Sequence, residues 1–153
     1  MPEFTTKAPP MALVELPMTV HAPKQAREYI AAVCAAAGLE ADIVAMVLIV
    51  VSELVTNAVR HVGHGLVSLD WELRNGRLIV DVGDDAPQKL PHAQWVSDDT
   101  EGGRGLLLVL SFTEQYVVMR ADGHASRPPR KISRVAFPCS IAGLGRAFAR
   151  RVA

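Results

Sequence analysis

The sequence predicts an α+β fold, a two-layer sandwich in which an antiparallel or mixed sheet has its helices packed on one face. Residues 41–62 place apolar side chains at the three-and-four spacing of a helix with a buried face. Segments further along alternate apolar and polar residues, which indicates strands, and they come in pairs. The order strand, two helices, hairpin, loop, helix, hairpin is typical of α+β domains, and 153 residues suffice for one.

The first part of the chain predicts a leader, a strand and two helices. Residues 1–11 carry three prolines and little periodicity, which predicts a flexible leader before a domain spanning residues 12–138. Residues 12–16 are a short strand candidate. Pro23 suits the first turn of a helix that Gly38 ends, and the 41–62 helix follows.

The middle of the chain predicts a hairpin followed by a long loop. Residues 66–73 and 77–82 alternate like strands, and Asn75-Gly76 between them is the strongest short signal for a hairpin turn. Residues 83–103 are rich in Gly, Asp and Pro and show neither period. This predicts a long mobile loop, and loops of that length inside a domain are usually functional.

The last part predicts a short apolar helix, a second pair of strands and a basic end. The helix is expected at 105–112 and the strands at 115–120 and 131–137. No acidic residue follows Asp122, so residues 139–153 are predicted to be a basic C-terminal tail or helix. The simplest interpretation of this end is a solvated tail.

The composition of the chain limits the cellular compartment and the classes of binding partner that we expect. Sixteen Lys and Arg balance sixteen Asp and Glu, which leaves no general attraction to nucleic acid or to an anionic membrane. Cys34 and Cys139 form no metal-binding or disulfide pattern, and no signal-peptide order is visible, so we expect a cytoplasmic protein. The 41–62 segment is long and apolar, but its charged residues would make membrane insertion costly.

The first candidate site is a polar stripe on the 41–62 helix. Glu53, Asn57 and His61 recur every fourth residue and therefore share one face, with Arg60 beside them. An amide oxygen from Asn57 together with phosphate oxygens suits Mg²⁺, and Glu53 suits a proton acceptor. The alternative is a polar edge on a core helix, because short patterns often match by chance.

The second candidate is the acidic end of the 77–82 strand. A carboxylate at a strand end can accept a hydrogen bond from the exocyclic amine of adenine. Asp84 is the better candidate than Asp85, because Asp84 shares a side of the strand with the apolar Val80 and Val82. The alternative is an ordinary turn, since Asp-Asp-Ala-Pro is common turn chemistry.

The third candidate is a glycine-rich turn that opens the 105–112 helix. Exposed amides without a side chain in the way form an anion site at a helix N-terminus. The segment lacks the features of a Walker loop and of a dinucleotide fingerprint. Loop flexibility before a helix is the alternative interpretation.

The three motifs in this order resemble the GHKL ATPase superfamily. The strings SELVTNAVRH (52–61), DDAP (84–87) and GGRGLLLV (102–109) are similar to those of its anti-sigma-factor serine kinases, which are stand-alone ATP-binding regulators of actinobacteria. The resemblance covers about residues 12–137. It implies the GHKL ATPase fold, with ATP and Mg²⁺ as cofactors.

The resemblance also implies a role for individual residues. Glu53 matches the catalytic base and Asn57 the Mg²⁺ ligand, and residues 87–102 match the lid over ATP. Arg60 and His61 match residues that contact the phosphates, and Asp84 matches the acid that binds the adenine amine, with Ala86 in the same motif and Ser133 near the adenine. The closing turn of the lid is matched by Gly103, Arg104, Gly105 and Leu106. Ala86 departs from the family pattern, which has Gly or Ser there, and therefore puts nucleotide affinity in question.

The function implied by the resemblance is phosphorylation of a serine on an anti-sigma factor antagonist, together with sequestration of a sigma factor. The alternative is a non-catalytic, nucleotide-dependent protein-binding module of the same fold. A sensor-kinase ATPase domain is a third possibility, which the sequence favours less because no helical segment with a phosphorylatable His followed by an acid precedes the motifs. Similar proteins commonly form homodimers, and we expect no direct binding of nucleic acid or membrane.

Overall fold

The computed structural model describes residues 13–87, 101–123 and 128–139. Within these ranges lie five strands and three helices. In chain order they are β1 (Val14–Pro17), α1 (Ala22–Ala37), α2 (Ala41–His61), β2 (Leu66–Arg74), β3 (Arg77–Asp84), α3 (Glu101–Phe112), β4 (Gln115–Ala121) and β5 (Arg130–Pro138).

The five strands form one antiparallel sheet in the order β1-β2-β3-β5-β4. The predicted α+β fold is confirmed, and of the two sheet types left open the antiparallel one is found. Asn75 and Gly76 join β2 to β3 with φ angles of 52° and 72°. Two residues at positive φ match the twist of a hairpin, which is why Asn-Gly is favoured there.

All three helices contribute to a core on one side of the sheet. Alternation along β3 places Leu78, Val80 and Val82 on this side, where they are buried. The opposite side carries charged groups, such as the Asp81 carboxylate, which accepts hydrogen bonds of 2.7 and 2.8 Å from Arg134. The one-sided helical layer therefore follows from the apolar alternation of the strands.

The two N-terminal helices pack through small and branched side chains. Small residues such as Ala22 and Ala26 recur every fourth position along the buried stripe of α1, which lets α2 approach closely. Gly38 ends α1 with a left-handed φ of 67°, as its position in the sequence predicted. In α2 the buried face is mostly valine.

Helix α2 is also long and apolar enough to cross a membrane by length and composition. In the structure its residues Val47, Val51 and Val55 lie fully buried in the core beside the sheet. This placement agrees with the prediction of a core helix.

Both cysteines are buried free thiols. Burial raises the pKa of Cys34 to about 11, and the charge of Cys139 adds to the shift. The Cys34 thiol is therefore neutral near pH 7 and acts as a small apolar packing residue.

Most boundaries lie within two residues of the predicted ones, and two differences affect the candidate site. Strand β3 continues to Asp84 because β5 pairs with it as far as Asp84 opposite Lys131. Helix α3 begins at Glu101, four residues earlier than expected, so the glycine-rich segment forms its first turns rather than a loop before it. The leader (1–11), most of the predicted lid (88–100) and nearly all of the basic end (140–153) lie outside the described residues.

Candidate functional site

The polar stripe of α2 lies at the rim of the core. Glu53 and Asn57 are half-buried, while Arg60 and His61 in the last turn are exposed. The valine face of α2 turns inward and leaves the polar stripe at the edge of the core. Half-burial keeps the desolvation cost of the Glu53 carboxylate low.

Gly105 of α3 lies directly against Glu53 of α2. A Cβ added at Gly105 would overlap Oε2 of the Glu53 carboxylate. Only glycine leaves room for this approach. The structure thus brings the first and the third sequence motifs into contact, although they are far apart along the chain.

We expect Gly105→Ala to change the free energy of unfolding by no more than about 1 kcal/mol, because the added Cβ meets the carboxylate end of the flexible, half-buried Glu53 side chain, which can turn away. Alanine is also the better helix former by about 1 kcal/mol, which offsets the cost of moving the Glu53 carboxylate. Urea denaturation followed by circular dichroism measures the change.

The matched control is Leu110→Ala on the same helix, where the side chain is exposed. That substitution should change the free energy of unfolding by no more than about 0.5 kcal/mol. A Gly105→Ala variant much less stable than this control would show that the Glu53 carboxylate cannot turn away from the added Cβ.

Asp84 ends β3 as a buried carboxylate on the helix side of the sheet. Its residue is 4% exposed. Its Oδ1 accepts a 2.9 Å hydrogen bond from the backbone N–H of Ala86, and its Oδ2 lies 3.0 Å from Nζ of Lys131 on β5. The Asp84 side chain thus lies where its acceptor oxygens are shielded from bulk water.

Ala86 retains the contact that its position requires. Its backbone N–H binds Asp84, and its φ angle lies outside the left-handed region that favours glycine. The backbone freedom of a glycine is therefore not needed at this residue. The departure from the family pattern costs the site only the hydroxyl that a serine would add.

Asp85 faces the other side of the sheet and fixes the turn. Its carboxylate accepts hydrogen bonds from the Leu66 N–H at 3.3 Å and from Nε of Arg130 at 3.1 Å. Arg130 is buried and also donates to Ser68 Oγ at 2.9 Å and to the Gly83 carbonyl at 3.2 Å. These hydrogen bonds fix the end of β3 from the side of the sheet opposite the helices and so position Asp84.

Ser133 lies on β5, opposite Val82 and on the same side as Lys131. It is buried, and its side chain hydrogen-bonds to that of Tyr116 on β4. Burial raises the pKa of Tyr116, and the hydrogen bond with Ser133 offsets part of that shift. Ser133 is thus a diagonal neighbour of Asp84 across two paired strands.

A family model for the histidine kinase-like ATPase domain matches residues 16–126, more than two thirds of the chain. The chain belongs to the histidine kinase-like ATPase domain family. Membership implies that the domain binds ATP. A search among curated proteins found no match.

The described residues of this histidine kinase-like ATPase domain fit a nucleotide. Asp84 offers a buried acceptor at the end of the sheet, and the cradle at Gly105, which a Cβ would fill, brings Glu53 to the start of α3. Helix α2 packs against both β3 and α3 and therefore connects these two ends. Gly103, Arg104 and Leu106 belong to α3.

A magnesium ion in this ATPase domain would depend on phosphate oxygens. No group of three or more His, Cys, Asp or Glu side chains in the described part of the chain could hold a metal ion. One amide oxygen from Asn57 with phosphate oxygens and water is a donor set that Mg²⁺ accepts. The predicted Mg²⁺ ligand therefore remains a prediction that fits the residues present.

Lys131, the ion-pair partner of Asp84, was not among the residues predicted from the sequence. The sequence does indicate that Lys131 and Ser133 share one side of a predicted strand, because they are two residues apart. The sequence does not indicate the register between β3 and β5, which places Lys131 opposite Asp84. The family match ends at residue 126, so β5 lies beyond the matched part.

Proposed function

We propose that this ATPase domain is a cytoplasmic regulator of the anti-sigma-factor kinase type. It transfers the γ-phosphoryl group of ATP to a serine on an anti-sigma factor antagonist, and it sequesters a sigma factor in turn. The contact between Glu53 and Gly105 is the observation that supports the proposal, because it brings a carboxylate to the start of α3 in an ATP-binding fold.

In this proposal, different side chains bind the nucleotide, hold the metal ion and accept the serine proton. When bound, Mg²⁺-ATP supplies the phosphoryl group, with Asn57 as the metal ligand. Glu53 takes the proton of the attacking serine hydroxyl, a role that suits a half-buried carboxylate. Arg60 and His61 contact the phosphates, and Asp84 accepts a hydrogen bond from the adenine amine. Most of the rate enhancement comes from positioning and charge neutralisation.

A protein partner is supported by the surface of α3. Leu107 and Leu110 are 54% and 53% exposed on the helix that also carries Gly105. Apolar side chains exposed together on one helix commonly mark an interaction site. These leucines suit a protein substrate better than a small molecule. As for the other partners, we expect a homodimer and no direct contact with nucleic acid or membrane.

The second candidate function keeps the fold and the partner but lacks phosphoryl transfer. In this alternative, nucleotide sets the affinity of the domain for its partner. The exposed leucines of α3 support it equally well, because a binding module needs such a surface too.

Labelled ATP separates the two functions. The domain is incubated with Mg²⁺, γ-labelled ATP and a candidate antagonist protein. Phosphoserine on the antagonist, absent when Glu53→Gln replaces the wild type, is the expected result. Complex formation without any phosphoserine would instead establish the binding module.

A further inference from the structure

The Asp84–Lys131 ion pair is the chemically unusual feature of the proposed nucleotide site. The two residues are direct cross-strand partners on β3 and β5. Their side chains are only 6% and 11% exposed, and Oδ2 lies 3.0 Å from Nζ. Taking both charges out of water is expensive, and such pairs often add little net stability.

The sheet does not depend on this pair for its register. Strands β3 and β5 pair over the whole length from Arg77 to Asp84, and apolar pairs such as Val80 with Val135 already fix which side faces the core. A buried ion pair at the last position of β3 therefore calls for another role.

The pair presents two complementary hydrogen-bonding groups side by side. Oδ1 of Asp84 is engaged by the Ala86 N–H, and Oδ2 is engaged by Lys131. A carboxylate oxygen accepts two hydrogen bonds and an ammonium donates three, so the bond between Oδ2 and Nζ by itself exhausts neither group. A ligand edge that has a donor next to an acceptor matches this arrangement.

We propose that Lys131 contacts the nucleotide base by donating a hydrogen bond to N1 of adenine, while Asp84 accepts from the neighbouring 6-amine. The amine and N1 are adjacent on the Watson–Crick edge of adenine, in the donor–acceptor order that the pair requires. The proposal rests on the proposed nucleotide site and adds to it a specificity-determining residue. It comes from this chain's own β5, beyond the family match.

Nucleotide analogues test the contact. Affinities for ATP, 1-deaza-ATP and purine riboside triphosphate are measured by titration calorimetry with Mg²⁺. The first analogue lacks the N1 acceptor and the second lacks the 6-amine. The wild type should bind each analogue at least ~10-fold more weakly than ATP, because each analogue lacks one of the two hydrogen bonds to a charged group.

Variants at Lys131 test whether this residue causes the preference for ATP over 1-deaza-ATP. Lys131→Met should bind ATP and 1-deaza-ATP equally and still discriminate against purine riboside triphosphate. Lys131→Arg restores a cationic donor and should recover part of the discrimination against 1-deaza-ATP. Wild-type protein that binds ATP and 1-deaza-ATP equally would overturn the proposal and leave Lys131 as a structural partner of Asp84.

Two controls keep the result interpretable. Wild-type protein that binds no nucleotide at all would overturn the proposed function, whereas equal binding of ATP and 1-deaza-ATP overturns only the base contact. If Lys131→Met unfolds because Asp84 is left buried without its partner, Asp84→Asn and the double variant Asp84→Asn/Lys131→Met replace it. The single variant should then discriminate against 1-deaza-ATP and the double variant should not. Equal discrimination by both would contradict the proposal.

Discussion

Replacing Glu53 with Gln is expected to slow phosphorylation of the antagonist by about 10²–10⁴-fold, the usual contribution of a general base. Glutamine has nearly the shape of glutamate and can keep the contact with Gly105. It cannot take the serine proton. ATP affinity should therefore stay close to the wild-type value, so that the loss appears in the transfer step and not in binding.

Single-turnover formation of phosphoserine measures the rate, and titration calorimetry measures ATP affinity. The matched control is Glu28→Gln, which removes an exposed carboxylate on α1. A Glu53→Gln variant that transfers phosphate as fast as the Glu28→Gln control would remove Glu53 from the mechanism.

Replacing Asn57 with Ala is expected to weaken Mg²⁺-dependent ATP binding by about 100-fold, since losing even an outer partner of a metal site costs 10–100-fold. Alanine suits a helix at least as well as asparagine, so α2 should remain folded. The informative measurement is the ratio of ATP affinities with and without Mg²⁺, which should fall towards one in the variant.

Gln25→Ala provides the control, because it removes an exposed amide from α1. Its ratio should equal that of the wild type. If Asn57→Ala also retains the wild-type ratio, the amide is not a Mg²⁺ ligand and the residue belongs to the polar edge of a core helix.

Features governed by short-range rules were predictable from the sequence. The Asn75-Gly76 hairpin turn and the left-handed Gly38 at the end of α1 depend on local backbone preferences. The apolar periodicity of α2 identified the core helix for the same reason. These local signals were enough to obtain the fold class.

The start of α3 could not be predicted in this way. Glycine disfavours helix, so local propensity placed Gly102 and Gly103 in a loop. In the structure α3 packs against α2 and begins at Glu101. Tertiary packing overrides propensity here, and the close approach at Gly105 requires the very residue that weakens the helical signal.

The candidate site was predicted only in part for a similar reason. The sequence identified Glu53, Asn57 and Asp84, because each belongs to a motif of neighbouring residues. The Asp84–Lys131 pair depends on the register between two strands separated by α3 and β4. No local pattern contains that register.

We expect one Mg²⁺-ATP to bind between the end of β3 and the start of α3. Titration calorimetry of the full chain with ATP and Mg²⁺, repeated with Asp84→Asn, tests it most directly. We expect one binding event per chain, weakened at least ~10-fold by Asp84→Asn, which loses the charged acceptor of the adenine amine. The absence of saturable ATP binding, or equal affinity in the two proteins, would contradict the site described above.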